Sequence, residues 1–291
     1  MGEHAVLHGR RSLCAAVDQR IRVRLTPRPD RRFSIHSALG DLEGTLEDLT
    51  PREPFRFVLA ALGRAGLRQG LDLAIEADFS STLGFGSSAA VTVATVAALR
   101  AAQGEPMDRG GIFRQSRDII RAVQGRGSGA DAAAATYGGV VLYRADPVEI
   151  EALRATPPIS VLYAGYKTAT PAVIARVEAA RQHAPALFEG IFDLMDQACA
   201  EAVEALRAGD LPRLGRLWNL HHGLQEALGT GDETLARLVH GLRGQPGVLG
   251  AKISGSGLGD CVIALGTADA KLPPYEAIPA TLSPEGVLLE T

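Results

Sequence analysis

Residues Leu83–Val91 read LGFGSSAAV, two glycines leading into two serines that open Ser87–Ala102, a run mostly of Ala, Val, Thr and Leu that is apolar nearly all round. A helix of that character is normally buried. Glycines let a backbone approach a ligand closely, while the unpaired amides and positive dipole end of a helix favour an anion. Such a dipole interaction is worth roughly 0.3–1 kcal/mol when exposed and about 2 kcal/mol when partly buried. The passage therefore reads as a cradle for phosphates, with the hydroxyl of Ser87 or Ser88 placed to bond a phosphate or reach a magnesium ion. An ordinary helix cap uses the same residue types. The sequence has no GxxxxGK[ST] and no lysine that follows a glycine, so a Walker-type NTPase is excluded. A GxGxxG fingerprint would need glycine where Ala89 stands, which disfavours a dinucleotide oxidoreductase.

Two further glycine loops accompany it. Gly125–Gly139 reads GRGSGADAAAATYGG and delivers Asp131 to the start of a short helix. A carboxylate there can take a proton from an acceptor hydroxyl, with Arg126 neutralising developing phosphate charge. The same aspartate also suits a helix start with no chemistry attached. Lys252–Leu265 reads KISGSGLGDCVIAL, with serines at 254 and 256 alternating with glycines at 255 and 257. An anion nest and a tight link between two strands both fit. Three such loops in one chain point to one site assembled from distant segments.

The rest of the composition bounds the answer. The chain has 291 residues, enough for one large or two packed domains; 46% are hydrophobic, 22% charged and 5% aromatic. Thirty Lys and Arg against 33 Asp and Glu leave a net charge of −3, so no broad basic field draws it to nucleic acid or anionic lipid. Cys14, Cys199 and Cys261 form no CxxC and no zinc-spaced cluster, which suits a reducing cytoplasm. No uninterrupted apolar segment opens the chain, and the most apolar run, Ala89–Leu99, is 11 residues, short of the roughly 18 a membrane span needs. A soluble protein acting on a small molecule is expected. The assembly state is left open, a homodimer among the options.

Period-2 alternation at Gln19–Leu25 and Gly70–Ala77 predicts strands, and helical spacing covers 54–65, 87–102 and 109–123. A short helix from Asp131 and a strand at Val140–Tyr143 follow. The charged, proline-punctuated segment Asp146–Pro158 is read as a domain junction. Beyond it, strands at 159–163, 248–253 and 261–265 flank a block of helices between 170 and 242, an α+β pattern. His221 and His222, near Trp218 on one of those helices, read as packing or solvent-facing residues.

Together, GEHAVLHG at Gly2–Gly9, GFGSSAAV at Gly84–Val91 and KISGSGLGDC at Lys252–Cys261 resemble, in order, the three signature motifs of the GHMP kinases. The resemblance implies a two-domain α+β fold, with a ribosomal S5 domain 2-like domain over 1–157 and a ferredoxin-like domain over 158–291. It implies ATP and Mg2+ as co-substrate and cofactor. It also implies a strand with a lysine ahead of Gly2, so that the start is expected to be short by one strand.

Within the family, QGRGSGAD at Gln124–Asp131, GDC at Gly259–Cys261 and AGYKTATPAV at Ala164–Val173 look like phosphomevalonate kinases, with mevalonate kinases next. Mevalonate kinases carry a magnesium-binding glutamate eleven residues before the aspartate, where this chain has Ile120. Transfer of phosphate from ATP to 5-phosphomevalonate, for isoprenoid synthesis, is the expected reaction, with mevalonate as the alternative acceptor. A nucleotide-binding homologue without catalysis is less expected. Carried over by resemblance, Asp131 is the base or orienting acid. Gly84, Gly86, Ser87, Ser88 and Ala89 hold the ATP phosphates, with Ser88 on the metal. Glu3, His4, Arg126, Ser128, Lys167, Ser254, Gly255, Ser256 and Gly257 serve the acceptor.

Overall fold

The computed structural model describes all residues except 79–85, 126, 269–270, 273–274 and 291. The chain opens with a 3-10 turn, Ala5–His8, and strand β1, Arg11–Ala15. Next come β2 (Ile21–Pro27), β3 (Arg32–Ser37), β4 (Gly40–Thr45), α1 (Arg56–Arg64), β5 (Leu71–Ala77), α2 (Ser87–Ala102), α3 (Arg109–Gln124) and α4 (Ala130–Tyr137). The second half holds β6 (Val140–Ala145), β7 (Val148–Ala152), β8 (Ile159–Lys167), α5 (Thr170–His183), α6 (Pro185–Ala208), α7 (Leu211–Ala227) and α8 (Glu233–Arg243). It ends with β9 (Val248–Ile253), β10 (Gly259–Gly266), β11 (Lys271–Leu272) and β12 (Tyr275–Ile278).

Two compact units divide these elements: Met1–Asp18 with Gly139–Pro284, and Gln19–Gly138 with Glu285–Thr291. This division does not coincide with one at residue 157. The segment 146–158, read from its charges and prolines as a junction, contains β7, paired antiparallel with β6 from Val141↔Ala152 to Ala145↔Val148. Its VEIEA sequence alternates apolar and acidic residues, which is strand patterning that the flanking prolines obscure.

The Gln19–Gly138 unit carries a four-stranded sheet in the order β2-β5-β3-β4, with β3 and β5 parallel and the other pairs antiparallel. On β2, Ile21, Val23 and Leu25 are half-buried and Arg22 and Arg24 exposed, as the alternation predicts. Phe33, Ile35, Leu71 and Leu73 are buried, and helix α2 touches β2, α1, α3 and α4. That central position explains why its sequence is apolar nearly all round: of its residues only Ala102 is exposed. Helix α3 is amphipathic instead, burying Ile112, Phe113, Ile119 and Ile120.

The other unit has an antiparallel sheet in the order β11-β12-β8-β10-β9, and a smaller one in the order β1-β6-β7. Leu162, Ala251, Ile253, Val262 and Ala264 of the larger sheet pack against Leu235, Leu238, Val239 and Leu242 of α8. Helix α7 lies hard against β9: a Cβ on Gly215 would sit 2.3 Å from the carbonyl oxygen of Leu249. That close approach requires glycine, and it sets the height of α7 above the strand that carries Lys252.

Candidate functional site

In the Gln19–Gly138 unit the first loop ends at Gly86, whose φ of 70° caps α2. Its carbonyl accepts from Ala89 N–H at 2.9 Å and Ala90 N–H at 3.0 Å, which starts the helix while leaving the earlier first-turn amides without an intrahelical partner. Ser87 and Ser88 are half-buried there and Ala89 is buried. No side chain caps this terminus among the described residues, and no acidic residue stands in its first turn. A bare helix start is a site for a negative charge supplied from outside. Gly84 and Arg126 lie outside the described residues.

The second loop arrives at the same place. Helix α4 is capped by Gly129, and the exposed Asp131 stands in its first turn. A Cβ added to Gly86 would lie 3.5 Å from the Asp131 Cβ and 3.8 Å from its Oδ2. Thus the fold brings together Gly86 and Asp131, two residues singled out from separate motifs. Ser128 Oγ accepts from Ala130 N–H at 3.2 Å, so this serine shapes the loop that presents the aspartate. Arg121, which the sequence analysis passed over, donates to Gly127 O at 3.2 Å and braces the same loop from α3.

Ile120 is buried, 8% exposed, so no carboxylate comes from that position. Magnesium takes hard oxygen ligands and usually keeps several waters, with one or two carboxylates and substrate phosphates. The Asp131 carboxylate and the Ser88 hydroxyl at adjoining helix starts fit that demand; among the described residues no cluster of three or more His, Cys, Asp or Glu offers a cage of its own. An open cleft of about 660 Å3 runs between α1 and the end of α3, lined by Arg52, Arg56, Leu59, Ala122 and Val123.

In the Met1–Asp18 and Gly139–Pro284 unit, the first and third motifs are tied side to side. Lys252 Nζ donates to Glu3 Oε1 at 2.5 Å and also to the carbonyl of Ile253. His4 Nε2–H donates to Ser256 O at 2.9 Å. Burial acts to raise the Glu3 pKa, but Lys252 above all, with the Met1 amine and His221, holds it well below the usual carboxylate range. Burial also lowers the His4 pKa, against the Ser256 carbonyl, so the ring stays neutral and donates a single proton.

The loop itself runs from Ser254, whose N–H bonds Cys261 O at 2.9 Å, over an exposed Gly255 and a half-buried Ser256 to a buried Gly257. Gly257 has φ 88°, and a Cβ there would strike Thr230 O at 2.3 Å, which explains the glycine. Three consecutive residues at the end of β8 hold the far side. Tyr166 OH donates to Asp232 Oδ2 at 2.6 Å, Lys167 Nζ pairs with Asp260 Oδ2 at 3.0 Å, and Thr168 Oγ1 donates to Leu258 O at 2.6 Å. Lys167, expected from resemblance to serve the acceptor, thus stands beside the third motif with its ammonium group engaged by a carboxylate.

His221 and His222 are both buried, as packing residues are, and His221 adds a hydrogen bond that the sequence did not reveal. His221 is wholly buried and its Nε2 accepts the Gly2 N–H at 2.7 Å. Their only sequence signal was a polar pair on a helix face that otherwise buries Leu214 and Trp218.

Comparison with known proteins finds relatives along nearly the whole chain. Residues 53–139 match the GHMP kinases N terminal domain and residues 202–273 the GHMP kinases C terminal. The chain is 34% identical over 268 residues to the mevalonate kinase of Archaeoglobus fulgidus, covering 91% of this chain and 88% of that one. The L. major mevalonate kinase in complex with R-mevalonate superposes with a TM-score of 0.82 at 26% identity, over 99% of this chain and 94% of that one. Streptococcus pneumoniae phosphomevalonate kinase shares the fold, with a TM-score of 0.74 at 20% identity over 95% and 96% of the two chains.

Proposed function

We propose mevalonate as the acceptor of this chain, which belongs to the GHMP kinase family and is a small-molecule phosphotransferase. The observation that carries this reading is the 34% identity, over 91% of the chain, to a protein named as a mevalonate kinase. The expectation of phosphomevalonate rested on short motif likenesses and on Lys167 as a cation for a second phosphate. In the structure that ammonium group is paired with Asp260 at 3.0 Å, which weakens the case for a dedicated phosphate site. Phosphomevalonate stands as the second reading, favoured by the position of Lys167 beside the third motif.

In this reading the amides at the start of α2, with Ser87 and Ser88, receive the ATP phosphates. Asp131 orients the acceptor hydroxyl toward the γ-phosphorus and accepts its proton as the new P–O bond forms and the bond to ADP breaks. Ser88 and Asp131 would hold the magnesium that accompanies ATP, which would neutralise phosphate charge there. Phosphoryl transfer needs mainly positioning and charge stabilisation, and general-base assistance adds about 10²–10⁴-fold. Glu3, His4 and the Ser254–Gly257 loop serve the acceptor side. Phosphorus NMR of a reaction with ATP, magnesium and mevalonate tests the proposal: a new phosphomonoester on the acceptor is expected, and ADP release without one would refute it.

A further inference from the structure

His221 has a bond that neither the glycine motifs nor the acceptor reading uses. The Gly2–Glu3–His4 turn is conformationally demanding: Gly2 has φ 80°, and His4, which is not a glycine, has φ 64°. A Cβ on Gly2 would lie 2.3 Å from Arg11 O, so the turn is pressed against β1. Non-glycine residues persist at such angles only where their surroundings fix them. Three ties do so here, and they differ in kind. Lys252 holds the Glu3 carboxylate, Ser256 O holds the His4 ring, and His221 Nε2 alone among them holds the turn's backbone, through the Gly2 N–H at 2.7 Å.

The tie is built for a neutral ring. Accepting at Nε2 places the proton on Nδ1, which is buried, with the Gln225 side chain beside it one turn further along α7. Burial, against the opposing pull of Glu3 and helped by Lys252 and the Met1 amine, keeps the His221 pKa well below the usual histidine range. The Glu3 Oε2 lies 3.5 Å from the same Nε2. A protonated ring would have no lone pair left for Gly2.

We infer that His221 is a positioning residue for the acceptor: by accepting the Gly2 amide from α7, it fixes the strained turn that aims Glu3 and His4. The inference rests on the reading that this turn faces the acceptor. It differs from a packing role in that the lone pair, and not the volume, is what matters. Glutamine can place an acceptor oxygen near the position of the imidazole Nε2, whereas leucine fills the space with none.

Steady-state kinetics of the full chain with ATP, magnesium and mevalonate therefore compare wild type, His221→Gln and His221→Leu. His221→Leu is expected to lower kcat/KM for mevalonate about tenfold or more, as loss of a buried hydrogen-bond acceptor does, while KM for ATP stays within about twofold. His221→Gln is expected to regain most of that loss. A folded leucine variant with wild-type constants, equal damage in both variants, or an equal rise in KM for ATP would overturn the inference. Where the leucine variant does not fold, His221→Asn, polar but too short to reach Gly2, takes its place. Hydrogen exchange at the Gly2 amide reads the tie without turnover: slow in wild type and His221→Gln, about tenfold or more faster in His221→Asn. Unprotected Gly2 in wild type would also overturn it. A wild-type chain that turns over a different acceptor refutes mevalonate as substrate, and the same split between variants, read with that acceptor, still decides the part played by His221.

Discussion

The two halves of the chemistry are built in opposite ways. At the starts of α2 and α4 the working groups are local: backbone amides, hydroxyls and one exposed carboxylate, brought side by side at Gly86 and Asp131. The Gly2–His4 turn is held by the His221 side chain of α7, the Lys252 side chain of β9 and the Ser256 carbonyl of the third motif, with bonds that span 219, 249 and 252 residues of sequence. Helix termini supply charge complementarity from the backbone itself, so that region, in the proposed reading the nucleotide's, needs no buried side-chain lattice. The Gly2–His4 turn has local backbone bonds of its own, from Ala5 N–H to Glu3 O and Val6 N–H to Gly2 O, but its positive φ angles also draw on ties from distant segments. Damage to the first region should therefore appear in turnover, and damage to the second in both stability and acceptor affinity.

The largest effect is expected at Asp131. Asp131→Ala should lower kcat by about 10²–10⁴-fold with the thermal midpoint nearly unchanged, as steady-state assays and calorimetry can show. Next comes Lys252, which is 1% exposed against Glu3. Lys252→Met takes the nearest positive partner from the half-buried Glu3 carboxylate and should cost about 1–3 kcal/mol of unfolding free energy in a denaturant titration. Removing both charges, with Glu3→Gln added, should cost less than Lys252→Met alone. If the double variant is the weaker one, the pair is not the pin described above.

Gly86→Ala should fall between the two regimes. At φ 70° an alanine costs about 1–2 kcal/mol, and its methyl would meet Asp131 at 3.5 Å, so a modest stability loss should come with a clear drop in kcat.

Acid should reach the buried side first. His222 is lowered to about 4 by burial, with Arg243 and Lys252 adding to it, and burial also holds His221 well below the usual histidine range. Their folded pKa values lie below that of an unfolded histidine near 6.5, so the unfolded chain binds more protons as pH falls. The stability these residues confer in the neutral form is complete above about pH 6.5 and declines from there toward pH 4. Unfolding free energies measured between pH 7 and 4 should show this decline, and His221→Gln should flatten part of it. The smallest effect is expected at Asp260: the Lys167 pair is 42% exposed on the lysine side, so Asp260→Asn should shift stability by less than about 1 kcal/mol.

The same contrast explains what could be read from the sequence. Strands with a wet face, such as β2, and helices with a definite stripe, such as α3, announce themselves by period, and the glycine loops by composition. The family resemblance then linked three motifs that local reading left undecided. Strand β7 was missed because charge and proline dominate a five-residue strand whose stability comes from its partner β6. The bond between Gly2 and His221 was not legible because a histidine's role depends on what faces it, and Gly2 lies at the other end of the chain. The acceptor was misweighted for a related reason: Lys167 looks like a spare cation in sequence, but Asp260 lies within reach of its Nζ once β8 and β10 pair.

The substrate is decided most directly by the ratio of kcat/KM for mevalonate to that for 5-phosphomevalonate, measured on one preparation at saturating ATP and magnesium. Mevalonate should be preferred by about 100-fold or more, a difference of roughly 2.7 kcal/mol in transition-state binding. Turnover of 5-phosphomevalonate at the higher kcat/KM would contradict the assignment and return Lys167 to the role its sequence first suggested.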